Sequence, residues 1–215
     1  MAINLTLTFI KLLQNAGALY KLLMRNYYIC KTFQIINNTV IQLHDKHFVP
    51  FITAGDIDAV LGRMAQQAEE DLKDEVPVFI GVLNGSFMVV SDFVKKYKQP
   101  CEVSFVKMAS YEGMSSTNEV KQLIGLNGDL TGRSVVVIED IVDTGNTVAE
   151  LKKLFEGQNI KQLKIATLFF KPEAYTKDIR LDYIGFEIPD KFIVGYGLDY
   201  DGLGRNLPEV YQLQE

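Results

Sequence analysis

The chain has 215 residues, of which 47% are hydrophobic and 23% are charged, and this is ample for one globular domain with a sizeable core. The formal net charge is −5 and the basic residues form no extended run, which argues against a nucleic-acid-binding surface. Cys30 and Cys101 are the only cysteines and lack metal-ligand spacing, so neither a disulfide framework nor a zinc site is predicted and the expected compartment is the cytoplasm.

Residues 1–38 differ in composition from the rest of the chain, because the first 44 residues contain no acid. Their apolar clusters are short and interrupted by lysines, so no membrane span is predicted. Ala16-Gly17-Ala18 fits a signal-peptide cleavage site, but no basic residue precedes the apolar cluster, and export is not favoured. We expect an extension outside the core, or a start codon upstream of a natural start at Met24 or later. The domain is placed at 39–215.

The first predicted elements begin at Thr53. Thr53 and Asp56 have the spacing of a capping box, and the apolar residues that follow them recur at helical intervals. An apolar run over 76–83 ends at the glycine turn 84–86. A helical pattern then continues to about Tyr97, so this part of the chain predicts a strand–turn–helix unit.

The second half of the chain continues the alternation of strands and helices. A polar stretch over 110–120 predicts a mobile hairpin or loop, with a return strand over 121–126. Further strands are predicted over 101–108, 135–138 and 163–170, and a helix over 147–156. Short strands and turns follow over 188–210. This order favours an α/β fold with a central, mostly parallel sheet flanked by helices.

The strongest functional signal is VVVIEDIVDTGNT, residues 135–147. Its apolar strand ends at Glu139 and Asp140, and ligands of open α/β sheets lie beyond the carboxyl ends of the strands. The turn Thr144-Gly145-Asn146-Thr147 opens a helix, so its backbone N–H groups can hold a phosphate. Carboxylates accept hydrogen bonds from sugar hydroxyls and help hold Mg²⁺, so the pattern fits a ribose 5-phosphate. Alternatively, the acids are merely solvated and Thr144 is an N-cap.

This segment resembles the 5-phosphoribosyl 1-diphosphate motif of type I phosphoribosyltransferases. The chain from about 40 to 213 resembles the hypoxanthine(-guanine) phosphoribosyltransferase family in particular. Four blocks in the same order carry the resemblance: VLNGSF at 82–87, Ser110-Tyr111, residues 135–147, and KFIVGYGLDY at 191–200 with Arg205. It implies the type I fold with a small hood and a mobile loop, and a cytoplasmic homodimer or homotetramer with no membrane attachment.

The resemblance also implies a reaction. A nitrogen of hypoxanthine, and of guanine, attacks C1 of 5-phosphoribosyl 1-diphosphate, which gives inosine or guanosine monophosphate and pyrophosphate in purine salvage with Mg²⁺ as cofactor. The alternative is a nucleotide-sensing regulator of the same fold without turnover. A regulator would be expected to add a basic surface or a winged helix, and this acidic chain offers neither. Adenine and pyrimidine phosphoribosyltransferases share the phosphate motif but not the KFIVGYGLDY context.

The purine site is carried over from the family residue by residue. Asp143 matches the acid near purine N7 that exchanges a proton with the base, although it could also cap the following helix. Lys171 matches the lysine that donates to O6 and thereby selects a 6-oxopurine. Phe192 matches the aromatic residue that stacks on the purine, and the backbone of Ile193 would read the edge of the base.

The pyrophosphate and metal sites are carried over in the same way. Leu83, Asn84 and Gly85 resemble the pyrophosphate loop, which in the family has a non-proline cis peptide at the position of Leu83-Asn84. Many relatives have lysine where this chain has Asn84. Arg205 would bind pyrophosphate through its planar donors.

Two further assignments complete the site implied by the resemblance. Asp199 would join Glu139 and Asp140 as a ligand of Mg²⁺, which takes few protein carboxylates alongside substrate oxygens and waters. Ser110 and Tyr111 begin the mobile segment, which in the family closes over the site and excludes water.

Overall fold

The computed structural model describes residues 39–109, 121–124 and 128–214. The strands are β1 (Ile41–Leu43), β2 (Lys46–Ile52), β3 (Val78–Leu83), β4 (Glu102–Ala109), β5 (Lys121–Ile124), β6 (Ser134–Val142), β7 (Gln162–Phe170), β8 (Tyr183–Glu187), β9 (Ile193–Val194) and β10 (Val210–Leu213). The helices are α1 (Ala54–Asp71), α2 (Phe87–Lys96) and α3 (Asn146–Phe155). Within these described ranges, no helix is long and apolar enough to cross a membrane.

The larger sheet has the strand order β5-β4-β3-β6-β7-β8. Strands β4, β3, β6, β7 and β8 are parallel, and β5 pairs with β4 in the antiparallel sense at the edge. The predicted α/β fold and the return strand after 110–120 are therefore confirmed. The predicted loop itself, with Ser110 and Tyr111, lies outside the described residues.

Helix α1 begins with the predicted capping box. Thr53 Oγ1 accepts a hydrogen bond from the Asp56 backbone N–H at 3.1 Å and donates to Asp56 Oδ2 at 2.6 Å. The apolar positions that repeat at helical spacing, including Ile57, Leu61 and Met64, are almost completely buried. Helical periodicity thus gives α1 one face that packs into the core, and the cap fixes where the helix begins.

Strand β6 is buried on both faces. Val136 and Ile138 belong to one hydrophobic core, and Val135 and Val137 belong to the other. Successive side chains of a strand point to opposite faces, so a continuous β-branched run suits a strand covered by helices on both sides.

The predicted end of β6 at Ile138 is wrong. The strand continues to Val142, because its pairing with β7 continues through Glu139 and Ile141. The acid pair is consequently part of the sheet rather than of a loop after it.

The second sheet is the small hood implied by the resemblance. Its strand order is β1-β2-β10-β9. Strand β10 pairs in the antiparallel sense with both β2 and β9, so segments from the two ends of the domain meet here. Phe48 of β2 is fully buried. The hood also contains β9 and the segments beside it, where the sequence places Phe192, Ile193, Asp199 and Arg205.

Candidate active site

The carboxyl ends of β3 and β6 border a cavity of about 390 Å³. A second recess of about 220 Å³ lies along the turn that leads into α3. Glu139, Asn146 and Thr147 line both spaces. Residues Leu83, Asn84, Gly85 and Asp140 line only the larger cavity, and Asp143, Thr144 and Gly145 line only the smaller one. The structure therefore brings these sequence-predicted residues to one edge of the sheet.

Gly145 sets the geometry of the turn before α3. It is the N-cap residue, with a left-handed φ of 82°. A Cβ atom at this position would lie 2.4 Å from the ring of Tyr175 and 2.8 Å from Lys177 Cγ, so only glycine fits. Because the N-cap is Gly145, the alternative predictions that Asp143 or Thr144 caps this helix are wrong. The first N–H groups of α3 lack helical acceptors and are available to an anion.

Glu139 and Asp140 form an acid pair in which Glu139 is buried and Asp140 is partly buried. Glu139 is 5% exposed, and neither residue forms an ion pair within the described part of the chain. Burial, together with the neighbouring charge of Asp140, raises the pKa of Glu139 well above its ordinary value. Burial likewise raises the pKa of Asp140 to about 6, although its carboxylate accepts a hydrogen bond from the Ile141 N–H at 2.9 Å. Carboxyl groups held at such an energetic cost are typical of a ligand site.

Asp199 and Arg205 form an ion pair in the hood. Arg205 Nη2 lies 2.7 Å from Asp199 Oδ1, and Arg205 Nη1 donates to the Gly197 carbonyl at 2.7 Å. Both charges act on Asp140, where Arg205 lowers the pKa and Asp199 raises it. Over the described residues, no group of three or more His, Cys, Asp or Glu side chains is placed to hold a metal by itself. A metal ion here would need ligand oxygens as well.

The predicted pyrophosphate loop packs directly on the acid pair. The Leu83-Asn84 peptide is cis, as the resemblance implied. A Cβ atom on Gly85 would lie 1.5 Å from Asp140 Oδ2, and one on Gly197 would lie 2.0 Å from the Gly85 carbonyl oxygen. Glycine at both positions lets the loop, the acid pair and the hood approach one another.

Lys171 contacts Asp143, the predicted acid/base residue. The lysine is 7% exposed and follows the carboxyl end of β7. Its Nζ donates to Asp143 Oδ2 at 3.1 Å and to Asp190 Oδ1 at 2.9 Å. Burial lowers the pKa of Lys171, but the hydrogen bonds to Asp190 and Asp143 outweigh burial and raise it. Sequence reasoning missed Asp190, and its only signal was a position two residues before Phe192.

Phe192 presents an aromatic surface beside β9. Its side chain is among the exposed large hydrophobic groups, with 46% of the residue accessible. The ring lies 6.2 Å from that of Phe48 and meets Tyr200 edge to face at 5.9 Å, measured between centroids. Ile193 is buried in β9, opposite Gln212 of β10. An exposed ring supported by two other aromatic rings can stack on a planar ligand.

The chain is similar to known proteins over most of its length. The phosphoribosyl transferase domain family matches residues 53–201. Over 169 residues the chain is 39% identical to a hypoxanthine phosphoribosyltransferase of Salmonella typhimurium, covering 77% of this chain and 95% of that protein. Over 161 residues it is 39% identical to a hypoxanthine-guanine phosphoribosyltransferase of Streptococcus pyogenes, covering 74% and 89%.

A solved structure shares the fold as well. The crystal structure of a hypoxanthine-guanine phosphoribosyltransferase from Bacillus anthracis matches with a TM-score of 0.73 and 37% identity. The match covers 77% of this chain and 98% of that one. The similarity in sequence and the similarity in fold therefore indicate the same family.

Proposed function

Because the chain belongs to the hypoxanthine(-guanine) phosphoribosyltransferase family, we propose that its cavity binds 5-phosphoribosyl 1-diphosphate and transfers phosphoribose to N9 of a 6-oxopurine. The C1–N9 bond forms, the bond from C1 to pyrophosphate breaks, and inosine monophosphate results from hypoxanthine. Guanine, which the name of the Streptococcus relative includes, is the second substrate and gives guanosine monophosphate. The chain is thus a transferase of purine salvage. None of these relatives supports a regulator without turnover.

The buried acid pair beside the glycine turn carries the proposal. Glu139 and Asp140 accept hydrogen bonds from the two ribose hydroxyls, which add donors to carboxylates that form no ion pair with a described residue. The turn from Thr144 to Thr147 takes the 5-phosphate on backbone N–H groups and hydroxyls. As pyrophosphate departs, positive charge develops on the sugar, and the same carboxylates stabilise it.

The purine lies on the side of Lys171. The Lys171 ammonium donates to O6, and the 6-amino group of adenine offers no comparable acceptor. Asp143, within hydrogen-bonding distance of that ammonium, exchanges the proton of N7 as N9 attacks. Phe192 stacks on the ring system, and the Ile193 backbone contacts the edge of the base.

The pyrophosphate lies between the loop at 83–85 and Arg205. The Arg205 guanidinium is held in place by Asp199 and the Gly197 carbonyl, which leaves its remaining N–H groups for phosphate oxygens. Glu139, Asp140 and Asp199 are the residues that would hold Mg²⁺, which when bound neutralises charge on the leaving pyrophosphate. Glu139 and Asp140 form no ion pair with a described residue, and such carboxylates fit a divalent cation.

Three broader features complete the proposal. We assign to Ser110 and Tyr111, which lie outside the described residues, the role of shielding the activated sugar from water. The enzyme works in the cytoplasm as a homodimer or homotetramer, and sedimentation of the purified protein would measure the oligomeric state.

Residues 39–215 suffice for activity, so a chain lacking 1–38 should fold and keep its kcat. Loss of soluble enzyme on that deletion would contradict this assignment.

The proposed function is tested by following nucleotide formation from 5-phosphoribosyl 1-diphosphate with one base at a time. Hypoxanthine, guanine, xanthine, adenine and uracil form the panel, with and without Mg²⁺. We expect turnover only with 6-oxopurines and only with the metal. Tight binding of nucleotides without turnover of any base would favour the regulator instead.

A further inference from the structure

Lys171 is held by carboxylates from two separate parts of the chain. Asp143 belongs to the turn between β6 and α3, whereas Asp190 belongs to the connection between β8 and β9. The lysine side chain is 9% exposed, while those of Asp143 and Asp190 are 45% and 59% exposed. The ammonium is therefore the buried member of the trio, and both acids are more exposed than it.

The two contacts leave one ammonium donor for a ligand. An ammonium group has three N–H donors in a tetrahedral arrangement. Two of them point to Asp143 Oδ2 and Asp190 Oδ1, at 3.1 and 2.9 Å. The direction of the third is then fixed. With Asp143 alone, the ammonium could rotate about that contact and the third donor would have no defined direction.

The hydrogen bond from Lys171 to Asp190 also affects Asp143. A carboxylate that exchanges a proton with a base must keep an oxygen accessible to it. Because Asp190 provides a second acceptor at 2.9 Å, the Lys171 ammonium is shared between two carboxylates rather than paired with Asp143 alone. Among the described residues, removal of Asp190 would leave Asp143, the carboxylate required for chemistry, as the only ion-pair partner of this buried ammonium.

Asp190 also belongs to the segment that supplies the aromatic surface. It precedes Phe192 by two residues and lies at the centre of a tight turn, which the Lys191 N–H closes by donating to the Pro189 carbonyl at 2.7 Å. An ion pair from Asp190 to Lys171 therefore ties the β9 segment to the end of β7. The ring and the ammonium would then lie at a fixed separation.

We infer that Asp190 is a positioning residue for the 6-oxopurine, which directs one Lys171 N–H to the O6 acceptor and keeps Asp143 accessible. The inference rests on the proposed function, because it assigns Lys171 to the base. It adds a determinant of base specificity that contacts neither the sugar nor the phosphates.

The test compares Asp190→Asn and Asp190→Glu with the wild type. Asp178→Asn is the matched control, since Asp178 is an exposed acid in the connection before β8. The asparagine variant loses a charge-assisted hydrogen bond, so we expect its KM for hypoxanthine to rise about tenfold. Its KM for 5-phosphoribosyl 1-diphosphate should change less than twofold. The glutamate variant should recover most of the loss, and the control should match the wild type.

Calorimetric binding of inosine and adenosine monophosphates gives a readout without turnover. Asp190→Asn should weaken the binding of inosine monophosphate and leave the binding of adenosine monophosphate unchanged. The preference of the protein for inosine monophosphate over adenosine monophosphate should therefore decrease. An unchanged or lower KM for hypoxanthine, or an equal rise in both KM values, would overturn the inference. Failure of the wild type to turn over any base would instead reject the proposed function, and the two failures are thereby distinguished.

Discussion

Carboxylates lie at both ends of the large sheet, and the two ends differ in how those charges are compensated. Before β3, Glu75 accepts from Lys161 Nζ at 2.7 Å and from Ser134 Oγ, and these hydrogen bonds lower its pKa. At the carboxyl ends, burial raises the pKa values of Glu139 and Asp140. A carboxylate whose charge is compensated by ion pairs and hydrogen bonds within the chain has a structural role. A buried carboxylate without such an ion pair indicates a site where a ligand provides the missing interaction.

Substitution of Asp143 should give the largest effect on activity and show that the carboxyl end of the large sheet contributes to catalysis. Asp143→Asn removes the proton acceptor while preserving shape, so kcat should fall by about 10²- to 10⁴-fold. Binding of 5-phosphoribosyl 1-diphosphate should change little. Steady-state kinetics and calorimetry measure the two quantities. An unchanged kcat would remove the acid/base role.

Lys171→Ala should show that the carboxyl end of the large sheet also selects the base. The variant loses a charged donor to O6, so the preference in kcat/KM for hypoxanthine over adenine should fall by about 10- to 100-fold. Lys164→Ala is the control, because Lys164 is also a largely buried lysine of β7 but pairs with Asp71 and Asp182. If the base preference survives in Lys171→Ala, the O6 assignment is wrong.

Matched amide substitutions compare the two ends directly. Glu75→Gln breaks an internal ion pair and should lower the free energy of unfolding by about 1 kcal/mol without changing kcat. Glu139→Gln removes a buried acid that has no ion-pair partner among the described residues, so the ligand-free protein should be equally or more stable. Its kcat/KM for 5-phosphoribosyl 1-diphosphate should nevertheless fall at least about tenfold, since a ribose acceptor is lost. Urea titrations and kinetics test both, and destabilisation by Glu139→Gln would contradict the comparison.

Sequence spacing brought together the residues proposed for the sugar and phosphate more readily than those proposed for the purine. Strand, acids and glycine turn are contiguous in residues 135–147, so local spacing was sufficient to bring them together. The purine half is assembled across the chain, because Lys171 meets Asp143 and Asp190 at separations of 28 and 19 residues. Residue spacing alone cannot reveal such contacts, and an acid in an Ile-Pro-Asp-Lys turn is typical of a solvated loop.

The fold shows the same division between local and distant information. Alternating periodicity predicted α1, β3, β6 and the α/β class. It could not give the strand order, nor the hood, in which β2 pairs with β10 from the other end of the domain. The length of β6 was also missed, since pairing with β7 extends the strand through residues that a pattern of apolar positions excludes.

The most direct test is the pH dependence of stability in the ligand-free wild type and in Asp140→Asn. The pKa of Asp140 is about 6 in the folded protein, above its unfolded value, so its contribution to stability is present below pH 4 and is lost as the pH rises through 6. Between pH 5 and pH 8 the wild type should therefore lose more unfolding free energy than the variant. Equal changes, or a wild type that gains more stability with pH, would show that this acid is compensated within the chain and contradict the account.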